Sequence, residues 1–257
     1  MVQRVRPHIG TLVAVEADAA SEPLALAAID AAFAAVERVG LLLHPVSGID
    51  SRRIRSAACG ERVRLDAWSY EVLSVCRDLH AASGGVFDPC RRDGPGRMVD
   101  IDLSVDGCTT KLAEVALDLG GIAKGFAVDR AVDALRERGC LSGVVNAGGD
   151  LRVFGPGARE VGLRSAAGTA YPLELEDAAV AVSEPRSERS PREHVGYYVG
   201  TTGEVVTGRW VAVTAPTATL ADGLAKCAML CPADVAEQVL GRYGARAFFG
   251  PASRRRG

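Results

Sequence analysis

A glycine-rich turn in the middle of the chain opens directly into an amphipathic helix. The run DLGGIAKGFAVD covers residues 118–129, and apolar residues continue at helical spacing to about residue 138. Glycines let a backbone approach a ligand closely, and the first turn of a helix attracts anions. Lys124 adds a full positive charge in that turn. The glycine and lysine spacing excludes a Walker loop and a Rossmann fingerprint. The residues alone are compatible with a phosphate or pyrophosphate site, and equally with a plain turn before a helix.

Two further clusters follow this turn. Residues 146–150 (NAGGD) lie between two strand-like segments, and their simplest interpretation is a hairpin turn that needs positive backbone angles. Residues 215–217 (APT) precede a helix that carries Asp222 and Lys226 four residues apart on one face. In isolation, the simplest interpretation of that pair is a surface salt bridge, which contributes about 0.3–0.5 kcal/mol.

Helical and strand-like segments interleave along the chain without strict alternation, which predicts an α+β (mixed α/β) fold. The predicted helices lie at about 23–42, 67–82 (with Asp66 as N-cap), 122–138, 219–230 and 232–242. The predicted strands lie at 9–17, 61–65, 143–146, 151–154, 210–214 and 245–249. Residues 88–109 are predicted to be loop, and residues 156–209 are predicted to hold short strands with a charged loop at 184–194. We expect one domain over residues 1–257, with tails of about seven N-terminal and about eight C-terminal residues.

The composition excludes several classes of protein. Apolar residues make up 48% of the chain and charged residues 24%, as in ordinary globular proteins. The net charge of −2 offers no positive field to a nucleic acid. Seven scattered cysteines without a Cys-x-x-Cys pair argue against a disulfide framework and a thiolate zinc site. No signal-peptide core and no apolar run of about 20 residues is evident, so we expect a cytoplasmic protein without a membrane span.

Taken together, the motifs resemble the ApbE family of FAD:protein FMN transferases. The specific matches occur in the family's order: DLGGIAKGFAVD at 118–129, VNAGGDLRVFG at 145–155, and a strand–AP–x–ADxL helix at 210–224. Weaker matches are HIGT at 8–11, HPVS at 44–47 and SGGVFD at 83–88. The resemblance extends from about residue 8 to residue 249 and implies two intimately packed lobes with FAD in the cleft between them.

The resemblance also implies roles for individual residues. Those implied to bind FAD are Ile9, His44, Asp88, Asp118, Gly120, Gly121, Lys124 and Asn146. A Mg²⁺ ion would be held by the Gly121 carbonyl and the Asp222 carboxylate. Catalytic roles are expected for Asp222, Lys226 and His194.

The implied reaction transfers FMN from FAD to a threonine or serine hydroxyl of an unidentified protein acceptor, with Mg²⁺ as cofactor and AMP as product. Two of the chain's departures from the family pattern concern the residues expected to act in catalysis. Lys226 stands where a threonine is expected, and an ammonium cannot ligate Mg²⁺ while it is charged. The Asp-Pro expected after His194 is absent. Two alternatives remain open: a flavin-binding or flavin-delivery protein without chemistry, and an FAD pyrophosphatase that yields FMN and AMP.

Overall fold

The computed structural model describes residues 1–164, 170–184 and 210–250. Within these ranges the helices are α1 (Glu22–Leu43), α2 (Ile49–Ser56), α3 (Ala67–Ala82), α4 (Ala123–Glu137), α5 (Ala218–Leu230) and α6 (Ala233–Arg242). The first six strands are β1 (Val2–His8), β2 (Thr11–Asp18), β3 (Arg62–Arg64), β4 (Ile101–Ser104), β5 (Cys108–Lys111) and β6 (Ser142–Ala147). The other six are β7 (Asp150–Phe154), β8 (Arg159–Arg164), β9 (Ala170–Leu175), β10 (Ala179–Ser183), β11 (Trp210–Ala215) and β12 (Arg246–Gly250). None of these helices has the length and hydropathy of a membrane span.

A seven-stranded antiparallel sheet forms the centre of the fold, with the strand order β1-β2-β6-β7-β10-β11-β12. Helices α1, α4 and α5 pack on one face of it, where Val13, Val15 and Ala17 of β2 are fully buried at alternate positions. The hairpin of β8 and β9 covers part of the other face through a second apolar cluster, which includes Val180 and Trp210. The predicted mixed α/β fold is therefore confirmed.

The prediction of loop over residues 88–109 is wrong where the chain forms β4 and β5 of the small sheet β3-β5-β4. Residues 101–111 form the β4–β5 hairpin instead of loop, and Ile101 and Leu103 are buried on either side of the exposed Asp102. Helix α2 lies in a polar segment for which no element was predicted, and Ile54 is its buried apolar residue. Neither element has enough apolar residues to produce a clear periodicity.

The predicted N-terminal tail is also wrong. Residues 2–8 pair with β2 along their whole length, from Val2 opposite Ala17 to His8 opposite Thr11. Most of these side chains are exposed, so the strand is held by backbone hydrogen bonds that leave little trace in the apolar pattern. The predicted C-terminal tail lies outside the described residues.

One predicted helix cap is confirmed, and close packing between helices sets the positions of α4 and α5. Asp66 caps α3 as predicted, since its carboxylate accepts a hydrogen bond from the Trp68 amide at 3.0 Å. Helix α4 approaches α5 so closely that a Cβ on Gly125 would lie 2.2 Å from the Ala218 carbonyl oxygen. A Cβ on Gly223 would lie 2.5 Å from a methyl group of Leu79, so close packing against α3 explains the glycine inside α5.

A buried carboxylate holds the start of α5 against α4. Asp129 Oδ1 accepts hydrogen bonds from Arg152 Nη1 at 2.7 Å and from the Ala218 amide at 2.9 Å. Its Oδ2 accepts from the amide of Thr219 at 2.8 Å and from the hydroxyl of the same residue. Asp129 is 4% exposed and Arg152 is 8% exposed, so this network is shielded from water. It sets the position of α5, which carries Asp222 and Lys226.

Candidate functional site

A cavity of about 1520 Å³ opens where the β1–β2 and β6–β7 turns meet the first turn of α4. Nine residues predicted from the sequence line it: Ile9, His44, Asp88, Asp118, Gly120, Gly121, Lys124, Asn146 and Lys226. Asp222 does not line the cavity but is fully buried next to it, where it contacts Lys124 and Lys226. His194 lies outside the described residues. The chain thus brings together segments that are far apart in sequence.

The glycine-rich turn forms the part of the wall that leads into α4. The Asp118 carboxylate accepts a hydrogen bond from the Gly120 amide at 2.9 Å, and the Ile122 amide donates to the Leu119 carbonyl at 3.0 Å. Asp118 therefore shapes a short 3-10 turn before the helix, in which the Gly120 amide is already hydrogen-bonded. Gly120, Gly121 and Lys124 are half-buried and accessible from the cavity.

The β1–β2 turn places a strained residue at the cavity. Ile9 has a φ of +44° and Gly10 a φ of +76°. A positive φ is rare for a β-branched side chain, because its Cβ crowds the backbone. Such strain is common at binding sites. The side chain of Ile9 packs beside Gly40 of α1, where a Cβ would lie only 3.1 Å from its methyl group.

His44 and Asp88 hold backbone segments at the cavity. His44 Nδ1 accepts hydrogen bonds from the amides of Val46 and Ser47, each at 3.2 Å. Asp88 is nearly buried, and its Oδ1 accepts from the Cys90 amide at 2.8 Å and the Met98 amide at 3.2 Å. Both side chains therefore shape the cavity wall by holding the neighbouring backbone in place.

The β6–β7 turn confirms the predicted hairpin. Gly148 and Gly149 have φ values of +64° and +104°, and the Gly149 amide donates to the Asn146 side chain at 3.1 Å. The turn brings the buried carboxylate of Asp150 into an ion pair with Lys124. Asn146 thus shapes the cavity wall by holding this turn in place.

Four charged groups lie together at the base of the cavity. Lys124 pairs with Asp150 and lies 3.8 Å from Asp222 Oδ2, while Lys226 pairs with Asp222 Oδ1. Asp222 Oδ2 also accepts a hydrogen bond from the Gly125 amide at 3.1 Å. Asp222 is 0% exposed and Asp150 is 1% exposed. The surface salt bridge that the spacing of Asp222 and Lys226 indicates in isolation is therefore a buried ion pair instead.

The pKa values of Asp150 and Asp222 are shifted in opposite directions. Burial, and after it the nearby charge of Asp222, raise the pKa of Asp150 to about 6 against the opposing charges of Lys124 and Lys226. Burial alone would raise the pKa of Asp222, but the ammonium groups of Lys124 and Lys226 outweigh it and hold that pKa below its ordinary value. Asp222 is therefore an ionised carboxylate, and its catalytic role stays a prediction.

The residues present do not fit the Mg²⁺ ion that the resemblance implies. Within residues 1–164, 170–184 and 210–250, no group of three or more His, Cys, Asp and Glu side chains could hold a metal. The Cε of Lys226 lies 3.7 Å from the Cβ position of Gly121, and its ammonium pairs with Asp222. Lys226 thus pairs with one implied ligand and packs against the residue of the other, and its charge repels a divalent cation there.

Asp129 and Asp150 are the charged residues that the interpretation of the sequence missed. Asp129 lies three residues after Phe126 and three before Val132, so it falls on the inward face of α4. Asp150 follows two glycines and begins a largely buried strand. A carboxylate inside an apolar pattern is the signal that could have identified both, since burial requires a partner for its charge.

Comparison with known proteins identifies the family. The model of the ApbE family matches residues 97–249, which is more than half of the chain. The chain belongs to the ApbE family. A curated relative, the FAD:protein FMN transferase of Rhodobacter capsulatus, is 30% identical over 125 residues. The match covers 38% of this chain and 24% of that relative, so it spans about a quarter of the relative's length.

Solved ApbE structures have the same fold. The flavinyl transferase ApbE of Pseudomonas stutzeri, in its apo form, gives a TM-score of 0.82 at 19% identity, over 100% of this chain and 92% of that one. The ApbE protein of Thermotoga maritima gives a TM-score of 0.79 at 20% identity, over 98% and 97% of the two chains. The fold of this ApbE-family chain therefore agrees with the expectation from its motifs, while the role of each site residue stays a prediction.

Proposed function

We propose that this chain binds FAD and transfers its FMN moiety to a threonine or serine hydroxyl of another protein, releasing AMP. One observation carries the proposal. Nine residues predicted from the sequence line a single cavity, and two lysine ammonium groups lie at its base. At about 1520 Å³ the cavity exceeds the usual size of a small-molecule pocket, in keeping with a dinucleotide. The activity named for the Rhodobacter capsulatus relative also supports it.

In the proposed reaction, the acceptor hydroxyl oxygen forms a bond to the FMN phosphorus while the bond from that phosphorus to the bridging diphosphate oxygen breaks. The hydroxyl proton passes to solvent, the bridging oxygen leaves with AMP, and FMN stays on the acceptor as a phosphoester. Lys124 and Lys226 offset the negative charge of the diphosphate, and Lys124 does so at the positive end of α4. The turn at Gly120 and Gly121 lets the diphosphate approach the backbone. The resemblance alone adds Mg²⁺, and the proposal assigns it no step.

A flavinylation assay tests the transfer. Incubation with FAD and candidate acceptor domains is expected to give a fluorescent flavin band on a denaturing gel, and mass spectrometry should locate FMN on threonine or serine. Release of FMN and AMP in the absence of any acceptor would instead support an FAD pyrophosphatase. Saturable FAD binding with neither product would leave a flavin-delivery protein as the function.

We expect Lys124 to recognise the diphosphate of FAD. In the double variant Lys124→Met with Asp150→Asn, both charges of the buried pair are removed together, so Asp150 is not left as an unpaired charge. Loss of one charged hydrogen bond should weaken FAD binding about tenfold or more, while riboflavin binding, which involves no phosphate, should change little. Fluorescence titration with both flavins measures this. Arg138→Ala is the control, because Arg138 is exposed at the other end of α4, about 20 Å from Lys124. Equal losses for both flavins would contradict the assignment.

A further inference from the structure

Lys226 occupies a defined place at the base of the cavity. Its stem packs against Gly121, with Cε 3.7 Å from the position of a Cβ on that glycine. Its ammonium pairs with Asp222, one turn earlier on α5. The side chain is only 13% exposed, so it is held between the glycine-rich turn and α5 and does not extend into solvent.

The charge of Lys226 is required by its surroundings. Asp222 is fully buried, and its two oxygens are contacted by the Lys226 ammonium, the Lys124 ammonium and the Gly125 amide. Together with Asp150, the four side chains carry two positive and two negative charges. Without Lys226, the group would carry a net negative charge beside the site proposed for an anionic diphosphate. A positive charge at the position of Lys226 is therefore needed before the anion can bind.

A divalent ion cannot supply that charge while Lys226 remains in place. A metal bound to Asp222 would share that carboxylate with the Lys226 ammonium, and like charges so placed repel each other. Moving Lys226 away would expose its buried stem and remove a partner of a fully buried carboxylate, which is costly. The resident ammonium is thus the simpler source of positive charge.

We propose that Lys226 replaces the divalent cation in this cleft, so that the chain binds the diphosphate of FAD without a metal. The inference rests on the proposed function, since it assumes that FAD is the ligand. Lys226 then has two tasks: it balances the charge of Asp222, and it places a positive charge beside the diphosphate.

Calorimetry of the wild-type protein with FAD, in EDTA and in millimolar Mg²⁺, tests the inference directly. We expect the dissociation constant to change less than about threefold between the two conditions, since repulsion keeps the ion away from Lys226. Binding of FAD only in Mg²⁺ would overturn the metal-free site and leave the proposed function intact. Absence of FAD binding in both conditions would overturn the proposed function itself.

Two variants make the test specific to Lys226. Lys226→Thr should weaken FAD binding about tenfold or more in EDTA. Mg²⁺ should restore most of the affinity, because the ion can then reach Asp222. Paramagnetic resonance with Mn²⁺ and no flavin should detect binding to Lys226→Thr but not to the wild-type protein.

Lys226→Met with Asp222→Asn, which removes both charges, should bind FAD weakly with or without Mg²⁺. Arg138→Ala should behave like wild type. Wild-type Mn²⁺ binding that Asp222→Asn abolishes would contradict the proposal.

Discussion

Replacing Asp129 with alanine is expected to lower the free energy of unfolding by about 3–5 kcal/mol, the typical cost of breaking a buried ion pair from one side. The substitution leaves Arg152 charged and buried, and removes the acceptor of the Ala218 and Thr219 amides at the start of α5. Urea unfolding followed by circular dichroism measures the loss. Because Asp129 positions the helix that carries Lys226, the variant should also bind FAD less tightly.

Asp133→Ala is the matched control for this substitution. Asp133 lies one turn later on α4, pairs with Arg130 at 2.8 Å, and is 38% exposed. An exposed pair of this kind contributes about 0–1 kcal/mol, so the control should unfold close to the wild-type midpoint. Similar losses for Asp129→Ala and Asp133→Ala would show that the buried network contributes little to stability.

The second large effect is expected for Gly125→Ala. The new Cβ would lie 2.2 Å from the Ala218 carbonyl oxygen and 2.8 Å from the Cβ of Asp222, which forces α4 and α5 apart. Overpacking typically costs about 1–3 kcal/mol, and we expect the upper end because the closest contact is to backbone. The Gly125 amide would also move away from Asp222, so FAD affinity should fall together with the urea midpoint.

Gly241→Ala tests whether that loss comes from the contact and not from the type of substitution. Gly241 lies inside α6, and a Cβ there would meet nothing within 4 Å. Alanine is favoured over glycine inside a helix by about 1 kcal/mol, so this variant should be slightly more stable than wild type. Opposite signs for the two glycine substitutions are the expected result, and a stabilised Gly125→Ala variant would contradict the close packing.

The sequence predicted most of the elements around the cavity, because their signals are local. The glycines at 120–121 and 148–149 mark backbone turns, and the residues that flank them have clear helical or strand periodicity. Helix α2 and strand β1 were missed for the opposite reason. Both are polar and largely exposed, and they are held by hydrogen bonds and pairing to neighbours distant in sequence.

The electrostatics of the site could not be predicted in the same way. The spacing of Asp222 and Lys226 indicates only that they share a helix face, and it does not reveal that this face is buried against α4. The pairing of Lys124 with Asp150 depends on where the β6–β7 turn meets α4. Such pairs are set by tertiary packing, so the motifs could locate the cavity but not its balance of charge.

The β1–β2 and β6–β7 hairpins turn through two residues each, and both turns lie at the same end of the sheet because β2 pairs with β6 from Val13 opposite Ala147. Turns this short have little conformational freedom to lose. The wall that they form is therefore preorganised, and a ligand that docks against it incurs almost no ordering entropy there. Flavin association at this wall should accordingly proceed in a single kinetic phase whose rate rises linearly with flavin concentration.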